Sequence, residues 1–100
     1  MSNVAKTGKV WLVTGASTGF GRELVEYLLA RGERVVATAR KVDALVELGT
    51  RYPERALVAA MDVTDQKQVE VAIGAAVLWF GRIDVLVNNA GYGMVGAVEE

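Results

Sequence analysis

Lys9-Val10-Trp11-Leu12-Val13-Thr14-Gly15-Ala16-Ser17-Thr18-Gly19-Phe20-Gly21 is the stretch that decides the fold. Val10 to Val13 is an uninterrupted apolar run of the kind that suits a strand buried on both faces. It stops at three glycines spaced G-x-x-x-G-x-G. Beyond them Leu24, Val25, Leu28 and Leu29 recur as i, i+1, i+4, i+5, which is one face of a helix, and Gly32 stands where a left-handed C-cap would end it. A strand that breaks at a glycine loop and restarts as a helix aims bare backbone N–H groups at a phosphate.

Working outward, the same alternation repeats and predicts βαβ units feeding a parallel sheet. Arg34 to Thr38 reads as a second strand, and Val42, Leu45, Val46 and Leu48 as the apolar side of a short helix closed near Gly49, with Pro53 marking the loop beyond. Ala56 to Met61 reads as a third strand. Val69, Ile73, Ala76, Val77 and Phe80 space as a helix from about Asp65 to Phe80, with Thr64 as N-cap and Gly81 as its stop. Ile83 to Val87 is the fourth strand, while Trp11, Trp79 and Phe80 fall at core-like positions. Right-handed crossovers predict the strand order 3-2-1-4, the front half of a doubly wound α/β sheet of Rossmann type. Residues 1–100 read as one such domain, with no linker or repeat inside it.

Composition narrows the function classes. The chain is 52% apolar with a net charge of −1, which allows one globular unit with a real core. Eleven Lys and Arg against twelve Asp and Glu, with no basic run longer than Arg40-Lys41, leave no electrostatic footprint for nucleic acid. Cysteine and histidine are absent, so thiolate and imidazole metal sites are excluded and no metal is expected. No apolar stretch approaches the roughly 20 residues of a bilayer span, and the expectation is a soluble cytoplasmic protein.

In the order 3-2-1-4 the topological switch point falls between strands one and four, where a ligand is expected. Two motifs converge there: the glycine loop after strand one, and Asn88-Asn89-Ala90-Gly91 after strand four. Gly15 suits the tight turn out of the strand, Gly19 a close approach of pyrophosphate to backbone, and Gly21 close helix–strand packing. Phe20 is expected to contribute its N–H and not its ring. No Gly-Lys-Ser/Thr follows, so an ATP or GTP phosphate loop is disfavoured. Ser17 is no nucleophile, because the surroundings are not G-x-S-x-G and no histidine exists to activate it.

Thr14 to Gly21, Asp62-Val63 and Asn88 to Gly91, in this order and at these separations, resemble the short-chain dehydrogenase/reductase family over nearly the whole chain. Phe20 departs from the branched aliphatic residue usual at its position. The resemblance implies that Gly15, Ser17, Thr18, Gly19, Phe20 and Gly21 line the adenosine ribose and pyrophosphate of a nicotinamide dinucleotide. It also implies that Asn89, Ala90 and Gly91 pass beside the ribose toward the nicotinamide, while Asn88 and Thr14 hold the sheet together. For Asp62 it implies an acceptor for the adenine amino group with the Val63 N–H on the ring nitrogen; the alternative is a carboxylate that caps helix amides.

The end of strand two bears on which dinucleotide is bound. An acid there would chelate the adenine ribose hydroxyls of NAD. Thr38-Ala39-Arg40-Lys41 offers two cations instead, and Glu33 lies at the wrong end of the strand. A guanidinium grips a 2′-phosphate with paired hydrogen bonds where a carboxylate would repel it. The expectation is NADP(H) in preference to NAD(H), with Arg40 as principal contact and Ser17 as a second; the bland reading is that Arg40 and Lys41 are solvated charges opening a helix.

The family's chemistry uses a Tyr, a Lys four residues later and a Ser. Here Tyr27 is followed at that spacing by Arg31, Tyr52 by Ala56 and Tyr92 by Gly96, so no catalytic residue is expected within these residues. Family members run to roughly 250 residues. The domain is therefore expected to be incomplete at its C-terminus, with the catalytic Ser, Tyr and Lys past Glu100, and Tyr92 could border the nicotinamide or substrate pocket. The function implied is hydride transfer between the nicotinamide and a small alcohol or carbonyl substrate, with steroid, retinoid, sugar and small carbonyl substrates all open. The full-length protein could be a homo-oligomer. A non-catalytic dinucleotide-binding module is the alternative; a methyltransferase on the same sheet would normally keep an acid at the end of strand two.

Overall fold

The computed structural model describes residues 8–89 and the backbone of 97–99. Five strands form one sheet: β1 (Val10–Val13), β2 (Arg34–Ala39), β3 (Ala56–Ala60), β4 (Val85–Val87) and β5 (Ala97–Glu99). Their order is β3-β2-β1-β4-β5, so the predicted 3-2-1-4 arrangement stands. Helix α1 (Gly19–Ala30) follows β1, α2 (Val46–Arg51) follows β2 after a 3₁₀ turn at Asp43–Leu45, and α3 (Gln66–Phe80) joins β3 to β4.

β2 is buried along its whole length, as expected of a strand with a neighbour on each side and helices on both faces. Side chains alternate across the sheet. Val13, Val35, Ala37 and Ala39 face α1 and α2, where they meet Val25, Leu28, Leu29, Leu45 and Leu48 in the larger core cluster. Leu12 and Val36 face the other way, toward Ala76 of α3, in a smaller cluster completed by Leu57, Phe80, Ile83 and Leu86. The predicted stripe Leu24, Val25, Leu28, Leu29 is thus the inward face of α1, with Leu24 at its partly buried margin.

Five features differ from expectation. β5 pairs antiparallel with β4, Val85 opposite Glu99 and Val87 opposite Ala97, so the outer edge of strand four is covered; three residues are too short to display a period-2 pattern. α2 runs through Gly49 to Arg51, because Leu48 is fully buried and holds the next turn against the sheet. The N-cap of α3 is Asp65, not Thr64: its carboxylate accepts from the N–H groups of Lys67 and Gln68. β4 begins at Val85, since the Asp84 carboxylate turns inward to accept the Val10 N–H at 2.8 Å. Trp79 is 57% exposed. The sheet contact of α3 is made by Ala72 and Ala76 with Phe80 at its margin, and Trp79 lies about 100° around the helix from Phe80. Trp11 does pack at the margin of the core, its indole N–H donating to Glu33 at 3.2 Å. Among the described residues no helix is long and apolar enough to cross a membrane.

Candidate cofactor site

The two motifs are joined by backbone chemistry. As β1 ends, the Thr14 N–H donates to Val87 O at 3.0 Å, and the Thr14 hydroxyl oxygen accepts the Asn89 N–H at 2.8 Å while lying 3.1 Å from Asn88 Oδ1. The Asn89 side chain in turn donates to the carbonyl of Gly15 at 3.2 Å. Thr14 and Asn88 therefore hold the sheet ends together, and Asn89 fastens the glycine loop. The loop is tied on its other side by the Ala16 N–H, which donates to Thr38 O at 2.9 Å, and by the Thr38 hydroxyl, which donates to Val13 O at 3.1 Å.

Glycine is required at this loop for two separate reasons. Gly15 and Gly19 sit at φ values of 62° and 59°, the left-handed region that side chains resist. Gly21 is a matter of space: a Cβ there would overlap the Gly15 carbonyl oxygen and lie 2.7 Å from Asn89 Nδ2. The start of α1 can rest against the loop and the Asn89 side chain only if residue 21 has no side chain.

α1 opens without a side-chain cap. Thr18 is its N-cap in extended geometry, its hydroxyl makes no capping bond, and no acid occupies the first turn. The N–H groups of Gly19, Phe20 and Gly21 thus lack intrahelical partners, and the helix dipole adds positive potential at the same point. The Phe20 ring is half exposed and packs into neither core cluster. α3, self-capped by Asp65, offers no such opening.

A cleft of about 750 Å³ opens beside this turn, lined by Gly15, Ser17, Thr18, Ala39, Arg40, Lys41, Met61, Asp62, Val63 and Thr64. It brings together the predicted Gly15, Ser17, Thr18, Arg40, Asp62 and Val63. Gly19, Phe20 and Gly21 follow directly on Thr18, and Asn89 reaches Gly15; Ala90 and Gly91, like Tyr92, lie outside the described residues. Arg40 and Lys41 sit in a bend after β2 and are exposed, so they do not open a helix. Neither forms an ion pair among the described residues, although Arg40 is close enough to lower the pKa of Asp62. Glu33, at the far end of β2, accepts from the Lys9 N–H at 2.7 Å and takes no part in the cleft.

Asp62 does not cap α3. Its Oδ1 accepts from the Thr64 hydroxyl at 2.7 Å and the Thr64 N–H at 2.9 Å, and its own N–H donates to Gln68 Oε1. These Thr64 bonds, with a contribution from Arg40, hold the Asp62 carboxyl below the ordinary aspartate range. No donor among the described residues engages Oδ2, so a fixed carboxylate oxygen remains for a ligand. Thr64 is a wall residue that the motifs do not mark, although an Asp-x-Thr step at the end of a strand is a known turn signal.

The residues fit a dinucleotide. The uncapped helix start and the open space at Gly19, where a Cβ would meet no neighbour, form an anion cradle, the cleft beside it has the size of a small-molecule site, and its rim carries a hydrogen-bond acceptor and two cations.

Fold and cleft define a Rossmann-like α/β protein. The family model for short chain dehydrogenase matches residues 9–100. Oxidoreductase BOA17 of Botryotinia fuckeliana is 45% identical over 93 residues, covering 92% of this chain and 34% of that protein. A short-chain dehydrogenase from Streptomyces avermitilis, solved by crystallography, superposes with a TM-score of 0.80 at 49% identity, over 86% of this chain and 32% of that one. The 3-ketoacyl-(acyl-carrier-protein) reductase of Brucella melitensis, solved with NADH, gives a TM-score of 0.73 at 33% identity over 79% of this chain and 32% of that one. The chain belongs to the short-chain dehydrogenase family, and it spans about a third of the length of these relatives.

Proposed function

We propose that these residues form the cofactor-binding part of an oxidoreductase that takes NADP(H) in preference to NAD(H) and exchanges hydride with an alcohol or ketone. The observation that carries the cofactor preference is the cleft wall at the end of β2, where Arg40 and Lys41 stand and no carboxylate does. A 2′-phosphate placed there would meet a guanidinium able to donate two parallel hydrogen bonds, with Ser17 on the same cleft as a further donor. The Brucella melitensis reductase was solved with NADH, so membership of the family does not carry the preference; these two side chains do.

When bound, the nicotinamide supplies or accepts the hydride. The described residues act on the other half of the molecule. The N–H groups at the start of α1 receive the pyrophosphate, Asp62 Oδ2 accepts from the adenine amino group, and the Val63 N–H meets a ring nitrogen. Ala90 and Gly91 are assigned the path toward the nicotinamide on their motif. Chemistry on the substrate rests on a Tyr-x-x-x-Lys pair that residues 1–100 do not contain.

Titrating the full-length protein with NADPH and with NADH tests the preference. Arg40→Asp is expected to weaken NADPH about 10- to 100-fold, the range of a lost charge-assisted pair, and to change NADH by much less. Equal losses for both cofactors would refute it.

A further inference from the structure

Arg22 follows Gly21 directly, yet its side chain leaves the phosphate loop and crosses to the segment after β2. The side chain is partly buried, with 22% of it exposed. Nη1 donates to Ala44 O at 2.6 Å, Nε donates to Glu26 Oε2 at 2.6 Å, and Nη2 lies 3.6 Å from Glu47 Oε1. Arg51 closes the ring, 3.3 Å from Glu26 and 3.8 Å from Glu47. The four charges join α1 to α2, and the Ala44 bond fixes the 3₁₀ turn between them.

Ala44 is four residues beyond Arg40, and Lys41 and Val42, which lead from Arg40 into the 3₁₀ turn, have no regular secondary structure. At its near end it is held by the last pairing of β2, where the Ala39 carbonyl accepts the Met61 N–H at 2.9 Å. At its far end the anchors are the buried Leu45 side chain and the Arg22 bond to Ala44. Arg40 and Lys41 lie on the span between these anchors. One residue thus connects the helix start that forms the anion cradle with the strip of backbone that carries the two cations of the wall.

We propose that Arg22 is a positioning residue for cofactor selectivity: by holding the Ala44 carbonyl it sets the distance between the phosphate cradle and the Arg40-Lys41 wall, and touches no part of the cofactor itself. This rests on the NADP(H) reading above. An ionic clasp between two helices would, by itself, change stability and leave cofactor discrimination alone. A spacer of the wall changes discrimination through Arg40.

The test is a double-mutant cycle in the full-length protein, with NADPH and NADH affinities and melting temperature measured for Arg22→Lys, Arg40→Ala and the pair. Lysine keeps a charge for Glu26 but loses the forked geometry that also reaches Ala44. Arg22→Lys is expected to lower the NADPH-to-NADH preference about fivefold, and to leave it unchanged when Arg40 is already alanine. Glu47→Gln, which spares the Ala44 bond, is expected to keep the preference. A preference unmoved by Arg22→Lys, or moved equally with and without Arg40, overturns the positioning role while the NADP(H) reading stands. An Arg40→Ala protein with undiminished preference overturns that reading and, with it, this one.

Discussion

At the scale of single residues, the tightest constraint is at Gly21. Any side chain there must displace either the Gly15 carbonyl or Asn89, so Gly21→Ala is expected to cost about 1–3 kcal/mol in urea unfolding and to weaken dinucleotide binding with it. The motif spacing announced a packing glycine; its partners across the sheet follow only once strand order brings residues 15, 21 and 89 together. Asp62 teaches the opposite lesson. Its place at the end of a strand was legible, but its partner was not, because Thr64 was spent on a cap that Asp65 supplies better. Thr64→Val removes the shorter of the two bonds on Oδ1, and the Asp62 carboxyl is expected to rise back toward its ordinary value in an NMR titration.

At the scale of elements, the two long helices begin in contrasting ways. α3 satisfies its own first turn, and Asp65→Ala is expected to destabilise the protein by about 1 kcal/mol with cofactor affinity unaffected. α1 leaves its first turn open. Phe20→Asp would place a carboxylate against that dipole, stabilising the helix by about 0.3–1 kcal/mol while repelling pyrophosphate. A melting temperature that rises as dinucleotide affinity falls would identify the open turn as a binding feature. The strand β4 is set by a charge as well as by its valines. Burial alone would push the Asp84 carboxyl up, but the Val10 N–H together with Arg82 and Arg34 outweighs this and holds it below the usual range. A carboxyl depressed on folding contributes stability above its unfolded value and loses it as pH falls through the folded one. Denaturation midpoints at pH 7 and near pH 3 are therefore expected to differ less in Asp84→Asn than in the parent. Periodicity located these elements well where they were long. It failed for β5 and for the end of α2, where three residues of strand and one turn of helix owe their form to neighbours distant in sequence.

At the scale of the whole molecule, the two sides of the sheet are unequal. The α1 and α2 side buries Leu29, Leu45 and Leu48 completely, whereas α3 meets the sheet through alanines and leaves Leu78 89% exposed. Leu29→Ala is expected to cost about 2–5 kcal/mol, and Trp79→Ala less than about 1 kcal/mol despite the larger side chain removed. The sequence placed Trp79 with the core because helical spacing counts apolar residues without weighing which are small enough to approach a sheet. The doubly wound order, by contrast, was legible from the alternation of strands and helices, taken with right-handed crossovers and the usual Rossmann strand order.

β2 is buried through Ala39, and exposure begins abruptly at Arg40. The buried end of the strand and the exposed cations of the cleft wall are one peptide bond apart. On the NADP(H) reading proposed above, a lineage can rewrite its choice of electron carrier on the far side of that bond without renegotiating its core, and the same separation offers the protein engineer a place to graft one preference onto another.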